Sequence, residues 1–180
     1  MRAFVAVPCP NEVKDRLAVV QKEIKDFGGL SLVGRENMHL TLKFLGEISD
    51  EKVAEVSEAL DSLELKSYPV TVKGLGVFPK LDYVRVIWAG VEDGGRTVEL
   101  AGRVDELLKP FGFPKEKDFH SHVTLARVKF LKDREAVKRL IDAKRSEVFG
   151  SYAVERILLM KSVLSPKGPT YSMIKEVRLA

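Results

Sequence analysis

Two motifs of the pattern His-x-Thr-x are the residues of this sequence best suited to chemistry. They span His39–Leu42 (HLTL) and His122–Leu125 (HVTL), one in each half of the chain, and hold two of its three histidines. Imidazole has an unperturbed pKa of roughly 6.5, so it can give or take a proton near neutral pH. Two imidazoles that face one another can therefore act as general acid and general base in one reaction.

The alternation of apolar and polar residues predicts that each motif lies on a β-strand. Side chains at positions i and i+2 of a strand point to the same side, so His39 shares a face with Thr41, and His122 with Thr124. Two imidazoles and two hydroxyl groups form a cradle for a tetrahedral anion such as phosphate, with the hydroxyls stabilising developing charge. Acid–base chemistry of this kind takes the place of a metal-activated water. We expect no metal and no cofactor.

A zinc site is the alternative interpretation, because His120 lies two residues before His122 and would share its face. However, the first motif has no equivalent of His120, and the only cysteine, Cys9, is distant in sequence. No cluster of spaced metal ligands exists elsewhere. We therefore interpret His120 as a residue at the rim of a cleft.

The elements that must position the motifs occur in the same order twice. Apolar spacing predicts helices that begin at Pro10, at Ser49 or Asp50, near Arg96 and at Asp133, the first ending at Gly28–Gly29. It predicts strands at Met1–Val7, Met38–Leu45, Tyr68–Phe78, Tyr83–Val91, around His122, and at Tyr152–Leu164 and Thr170–Arg178. The repeat offset is about 85 residues, which indicates an internal duplication.

This order predicts an α+β fold in which residues 1–180 form a single bilobal domain. Sequential strands joined by short turns are antiparallel, so each lobe should be a mainly antiparallel sheet with helices packed outside. A pseudo-two-fold axis between the lobes would bring equivalent residues face to face. Both His-x-Thr-x strands should then line one central cleft.

Composition excludes several classes of protein. The chain has 180 residues, 45% hydrophobic and 31% charged, which is typical of a soluble globular protein. It has no apolar run long enough to span a membrane as a helix, and its apolar start is too short for a signal peptide. With a single cysteine it cannot form an internal disulfide, which agrees with a cytoplasmic setting. We also expect a monomer without membrane attachment. The net charge of +4 is compatible with a phosphate-bearing partner, and the single glutamine and two asparagines suggest a thermophilic source.

The two motifs in their contexts resemble the 2H phosphoesterase superfamily. Within it, His39–Glu47 (HLTLKFLGE) and Phe119–Arg127 (FHSHVTLAR) are similar to the archaeal and bacterial 2′-5′ RNA ligase family. The start Arg2–Ala6 and the late segment Ser165–Tyr171 fit the same family. The resemblance covers essentially the whole chain.

The resemblance implies an RNA 2′,3′-cyclic phosphodiesterase, which opens a terminal cyclic phosphate and leaves a 2′-phosphate. It implies that His39 donates a proton to the 3′-oxygen and that His122 accepts one from water, while Thr41 and Thr124 bind the phosphate. An arginine of the family matches Arg127 as a further phosphate ligand. In a regular strand Arg127 would point away from the cleft, so a bulge would be required to bring it round.

Several alternatives stay open at this stage. The same transesterification run backwards would be a 2′-5′ RNA ligase that joins tRNA halves without ATP. The chain could also act on a small nucleotide, or bind RNA without catalysis; family analogy permits a GTP-like nucleotide, but the sequence has no phosphate loop. Lys43 shares the His39 face and could touch a phosphate or lie in solvent. Phe4 and Phe44 could stack on a base, but we expect both to pack in the core.

Overall fold

The computed structural model describes all 180 residues, as four α-helices and nine strands of one sheet. The strands are β1 (Arg2–Pro8), β2 (Gly28–Leu32), β3 (His39–Glu47), β4 (Tyr68–Lys80), β5 (Tyr83–Glu92), β6 (His122–Leu131), β7 (Val148–Val154), β8 (Arg156–Ser165) and β9 (Gly168–Arg178). The helices are α1 (Asn11–Ile24), α2 (Asp50–Asp61), α3 (Arg96–Leu108) and α4 (Arg134–Ala143), with short 3₁₀ turns at Arg35–Asn37 and Lys109–Phe111. The predicted α+β class is confirmed.

The two motif strands are neighbours at the centre of the sheet. The strand order is β7-β4-β5-β6-β3-β1-β8-β9, every pairing is antiparallel, and β2 is added beside β6. Strands β3 and β6 pair only at Leu40 and Val123 and then diverge. Beyond that point β2 takes the place of β3 next to β6. The divergence separates a lobe built on β3 from a lobe built on β6 and opens a cleft between them.

Each lobe draws strands from both halves of the chain. Strand β4 follows α2 of the first half but pairs with β5 beside β6, while β8 follows α4 of the second half but pairs with β1 beside β3. Helices α1 and α4 pack on strands of the β6 lobe, and α2 and α3 pack on strands of the β3 lobe. The backbone therefore crosses between the two lobes several times and connects them covalently. The internal duplication itself stays a prediction.

Two of the predicted element boundaries are wrong. Helix α1 ends at Ile24, and Gly28 and Gly29 begin β2 instead of ending the helix. A Cβ on Gly28 would lie 2.1 Å from the carbonyl oxygen of Phe130, so the glycines are required for the close approach of β2 to β6. The predicted strand Tyr152–Leu164 is in fact β7 and β8, interrupted at Glu155, because the chain crosses there from the β6 lobe to the β3 lobe.

The hydrophobic core fixes the motif strands. The apolar residues of the two motifs are almost completely buried; they are Leu40, Leu42, Val123 and Leu125. The inward faces of the helices pack with them in one core. Burying one such leucine contributes roughly 1.5–3 kcal/mol, and truncating it to alanine typically costs about 2–5 kcal/mol. The polar face of each motif is therefore held at the cleft by a well-packed opposite face. None of the four helices is long and apolar enough to cross a membrane.

Candidate active site

All five residues predicted as a site line one cleft of about 680 Å³ between the diverging strands. They are His39, Thr41, His122, Thr124 and Arg127. The cleft also contains side chains that the sequence reasoning did not single out, among them Asn37, Tyr171 and Lys167. Both lobes thus contribute one imidazole and one threonine to the same space.

His39 is held by two hydrogen bonds and two aromatic rings. Its Nδ1–H donates to the carbonyl oxygen of Asn37 at 2.6 Å, and its Nε2 lies 2.8 Å from Oγ1 of Thr41. The ring stacks on Phe4 with centroids 4.9 Å apart, and Tyr171 meets it edge-on at 5.5 Å. Because a carbonyl oxygen can only accept, Nδ1 carries the proton of the neutral ring and Nε2 is the atom available for proton transfer.

His122 is held in the same way from the other lobe. Its Nδ1–H donates to the carbonyl oxygen of His120 at 2.7 Å. The ring of Phe78 meets it edge-on at 5.0 Å, and that of Trp88 lies 6.1 Å away. Unlike His39, it forms no hydrogen bond with its threonine. Its Nε2 is therefore free to meet a molecule in the cleft.

The pKa of each imidazole lies below the ordinary value of 6.5. For His39, burial lowers the pKa most, against the hydrogen bond to Asn37, which raises it, and the charge of His122 lowers it further. For His122, burial again lowers the pKa most, the hydrogen bond to His120 raises it, and the charges of His120 and Arg127 lower it. Both rings are therefore predominantly neutral at pH 7. A bound phosphate would favour the charged form and raise both values.

A β-bulge follows the threonine of each motif. In the pairing of β1 with β3, Ala6 lies opposite Thr41 and Val5 opposite Lys43, so Leu42 is an extra residue. In the pairing of β5 with β6, the register shifts in the same way around Leu125. An extra residue reverses the alternation of side chains along the rest of the strand. The residues five positions after each histidine therefore face the cleft.

The bulge in β6 places Arg127 in the cleft, and the bulge in β3 changes the predicted environments of Phe44 and Lys43. Arg127 lines the cleft, and the bulge expected to bring its side chain round is present in β6. Phe44 occupies the same place in the β3 lobe, where its side chain is 64% exposed, so the expectation that it packs in the core is wrong. Phe4 is buried, as expected, and forms the floor beneath His39.

The expectation that Lys43 shares the His39 face is also wrong, since its side chain is only 3% exposed and pairs on the opposite face of β3. Its ammonium pairs with the carboxylate of Asp105 on α3 and donates to the carbonyl oxygen of Pro114 at 2.8 Å. The second oxygen of Asp105 accepts from the backbone N–H of Glu116 at 3.1 Å. This ion pair therefore anchors the segment 112–121, which forms one wall of the cleft and leads into β6.

His120 lies at the cleft wall, where its ring is 4.8 Å from that of Trp88 and 5.4 Å from that of Phe78. In the first copy, Asn37 stands at the equivalent position, two places before the motif histidine. The backbone carbonyls of both residues orient a cleft histidine. Nowhere in the structure do three or more His, Cys, Asp or Glu side chains gather in an arrangement suited to a metal ion.

Known proteins match this chain over nearly its whole length. The sequence model of the LigT-like phosphoesterase family matches residues 7–88 and 91–171 of this chain. A Methanocaldococcus jannaschii protein named RNA 2′,3′-cyclic phosphodiesterase is 39% identical over 176 residues, which cover 98% of this chain and 99% of the relative.

Solved structures share the fold. A Thermus thermophilus protein of 31% identity aligns with a TM-score of 0.82 over 99% of this chain and 97% of its own. Escherichia coli LigT, crystallised with 3′-AMP, is 25% identical and aligns with a TM-score of 0.80 over 99% and 97% of the two chains. The source organisms of the first two relatives fit the thermophilic origin expected from the low amide content. The resemblance to the 2H phosphoesterases is confirmed, and the chain belongs to the LigT-like phosphoesterase family.

Proposed function

We propose that this protein is an RNA 2′,3′-cyclic phosphodiesterase that opens a terminal cyclic phosphate to a 2′-phosphomonoester. The observation that carries the proposal is the convergence of two His–Thr pairs from separate lobes on one cleft. Each imidazole keeps its Nε2 for the cleft, and the two rings lie close enough for their charges to interact. The name of the Methanocaldococcus relative supports the choice of substrate.

The proposed reaction is an in-line displacement at phosphorus. Nε2 of His122 takes a proton from a water molecule whose oxygen attacks the phosphorus atom. The bond from phosphorus to the 3′-oxygen breaks, and Nε2–H of His39 gives its proton to that oxygen. The products are a 2′-phosphomonoester and a free 3′-hydroxyl group. The division of roles between the two rings rests on the family resemblance, since the pseudo-symmetry would permit either.

The remaining cleft residues would hold the phosphate. The hydroxyls of Thr41 and Thr124 would donate to its non-bridging oxygens, and the guanidinium of Arg127 would form charge-assisted hydrogen bonds to them. The phosphate charge in turn favours the imidazolium form of His39. This explains how a histidine with a lowered pKa in the free protein would carry the proton it has to donate.

The test is hydrolysis of a short RNA that ends in a 2′,3′-cyclic phosphate. Loss of a general acid or base typically lowers kcat by about 10²–10⁴-fold, so we expect losses of this size for His39→Ala and for His122→Ala. His120→Ala is the comparison within the same cleft, with a smaller loss expected because its ring lies at the wall and not between the motifs. Circular dichroism would establish that each variant is folded. If both motif variants hydrolyse the RNA as fast as the parent, the proposal is wrong.

The 2′-5′ RNA ligase reaction uses the same two proton transfers, with an RNA 5′-hydroxyl in place of water. Incubation with tRNA half-molecules without ATP would compare joining with hydrolysis directly. A cyclic mononucleotide in the same assay would test whether an RNA chain is required for turnover. Complete retention of RNA binding with zero turnover would instead indicate a binding module. The tRNA substrate, the monomeric state and the cytoplasmic setting stay predictions.

A further inference from the structure

Asn37 forms two hydrogen bonds that meet at the cleft from different directions. It is the last residue of the 3₁₀ turn before β3, its side chain is buried, and it is one of only two asparagines in the chain. Its backbone carbonyl accepts from Nδ1 of His39 at 2.6 Å. Its side-chain Nδ2 donates to the carbonyl oxygen of Pro169 at 2.9 Å, across 132 positions of sequence.

The partner of that amide, Pro169, is the second residue of β9, directly after the turn that joins β8 to β9. This turn and the start of β9 form a wall of the cleft through Lys167, Gly168, Pro169 and Tyr171. The ring of Tyr171 lies edge-on to Phe4 at 4.9 Å and to His39 at 5.5 Å. The hydrogen bond from Asn37 therefore holds the wall that covers His39.

We propose that Asn37 is a positioning residue, whose carbonyl sets the orientation of the His39 ring while its amide holds the start of β9 against that ring. The inference about activity rests on the proposed function, whereas the positioning itself rests on the two hydrogen bonds. Leaving a buried amide without its acceptor costs free energy of folding, so the start of β9 and the 3₁₀ turn at Arg35–Asn37 are held in one arrangement.

The second lobe gives an internal comparison for this role. His120 holds the place in the second motif that Asn37 holds in the first, and its carbonyl orients His122 at 2.7 Å in the same way. Its side chain meets the β4–β5 hairpin by ring packing on Phe78 and Trp88. The position two residues before each motif histidine thus contacts a hairpin in both lobes, by a hydrogen bond in one and by aromatic packing in the other.

Loss of the amide should change the surroundings of His39 without removing its carbonyl partner. The start of β9 would separate from the 3₁₀ turn, Tyr171 would withdraw, and water would reach the ring. The groups that face His39 are Tyr171 from β9, His122 from β6 and the ammonium of Lys14 from α1. Since burial is the largest cause that lowers the pKa of His39, its pKa should rise towards the ordinary value when the wall opens.

The experiment compares Asn37→Leu with the parent and with Asn11→Leu, which makes the same change at the other, exposed asparagine. The chain has only three histidines, so NMR can follow each imidazole separately through a pH titration. We expect the pKa of His39 to rise in Asn37→Leu, that of His122 to stay unchanged, and kcat on the cyclic-phosphate RNA to fall by about 10–100-fold. Asn11→Leu should match the parent in all three measurements.

Asn37→Ser provides a second variant in case leucine prevents folding, because serine is too short to reach Pro169. A lower melting temperature with an unchanged pKa of His39 and an unchanged kcat would reduce Asn37 to a structural residue and overturn the inference. If the parent protein itself fails to hydrolyse cyclic-phosphate RNA, the proposed function fails. In that case the titration of His39 still decides whether Asn37 positions the ring.

Discussion

Each cleft imidazole donates its Nδ1 proton to a carbonyl two residues earlier, so the backbone before the strand decides which nitrogen is left for proton transfer in the cleft. The two rings differ in whether a threonine hydroxyl bonds to Nε2. Thr41 bonds to Nε2 of His39, while no hydroxyl bonds to that of His122. At this scale the sequence predicted the residue types and their shared face. It could not predict Asn37, because a single asparagine before a strand carries no periodic signal.

The pH dependence of hydrolysis should be bell-shaped, with the maximum of kcat/KM below about pH 6.5. The active form of the free protein has one charged and one neutral imidazole, and both pKa values are lowered from 6.5, so this form is most populated on the acidic side. The two apparent pKa values belong to the interacting pair and not to single residues. The profile of kcat should lie at higher pH, because bound phosphate raises both pKa values. Initial rates measured across the acidic and neutral range would give both profiles.

The variant Arg127→Gln tests the direction in which the charge of Arg127 shifts the pKa of His122. The charge of Arg127 lowers the pKa of His122, so its removal should move one limb of the kcat/KM profile to higher pH even as binding weakens. A maximum of kcat/KM well above neutral pH in the parent would contradict the low pKa values of the free protein.

At the scale of elements, the bulges decide which residues reach the cleft. Without them Lys43 would face the cleft and Arg127 would not; with them Lys43 is buried against α3. Strand parity predicted the shared face of each histidine and threonine correctly, because these residues lie before the bulge. Strand parity gave the wrong faces for Lys43 and Phe44, which lie after the bulge. No residue type in the segment HLTLKF indicates that a bulge is present.

Lys43→Met should lower the free energy of unfolding by about 3–5 kcal/mol, because it leaves the carboxylate of Asp105 buried without its cation. The double variant Lys43→Met/Asp105→Leu should recover much of this loss, since an apolar pair of similar volume avoids the buried charge. Urea denaturation would measure all three free energies.

A surface pair provides the matched control. Lys138 pairs with Glu135 on α4, where the two side chains are 34% and 69% exposed, so Lys138→Met should change stability by no more than about 1 kcal/mol. If Lys43→Met costs no more than Lys138→Met, the buried pair does not anchor the segment 112–121.

At the scale of the whole molecule, the cleft exists because the central strands pair at one position only. Leu40 and Val123 join the lobes, and the exchanged strands β4 and β8 hold them at a fixed separation. A phosphate held by Thr41 and Thr124 would bridge the two lobes and stabilise the folded state.

A 2′-phosphorylated nucleoside, the product of the proposed reaction, should therefore raise the melting temperature. At a hundred times its Kd the stabilisation is about 2.7 kcal/mol, which corresponds to an increase of about 5–10 °C for a domain of this size. Differential scanning calorimetry would measure the increase. The double variant Thr41→Ala/Thr124→Ala should show a much smaller increase at the same concentration, and an equal increase would place the phosphate elsewhere.

The sequence by itself determined the two motifs, the strands and helices that carry them, and the shared face of each His–Thr pair. These features are local: they follow from side-chain chemistry and from the regular periods of strands and helices, which are written in consecutive positions. Only the tertiary structure decided that β4 and β8 change lobes, that two bulges turn Arg127 and Phe44 into the cleft, and that Asn37 reaches Pro169. Those features depend on strand register and on contacts between distant parts of the chain, which packing selects and which local patterns do not encode.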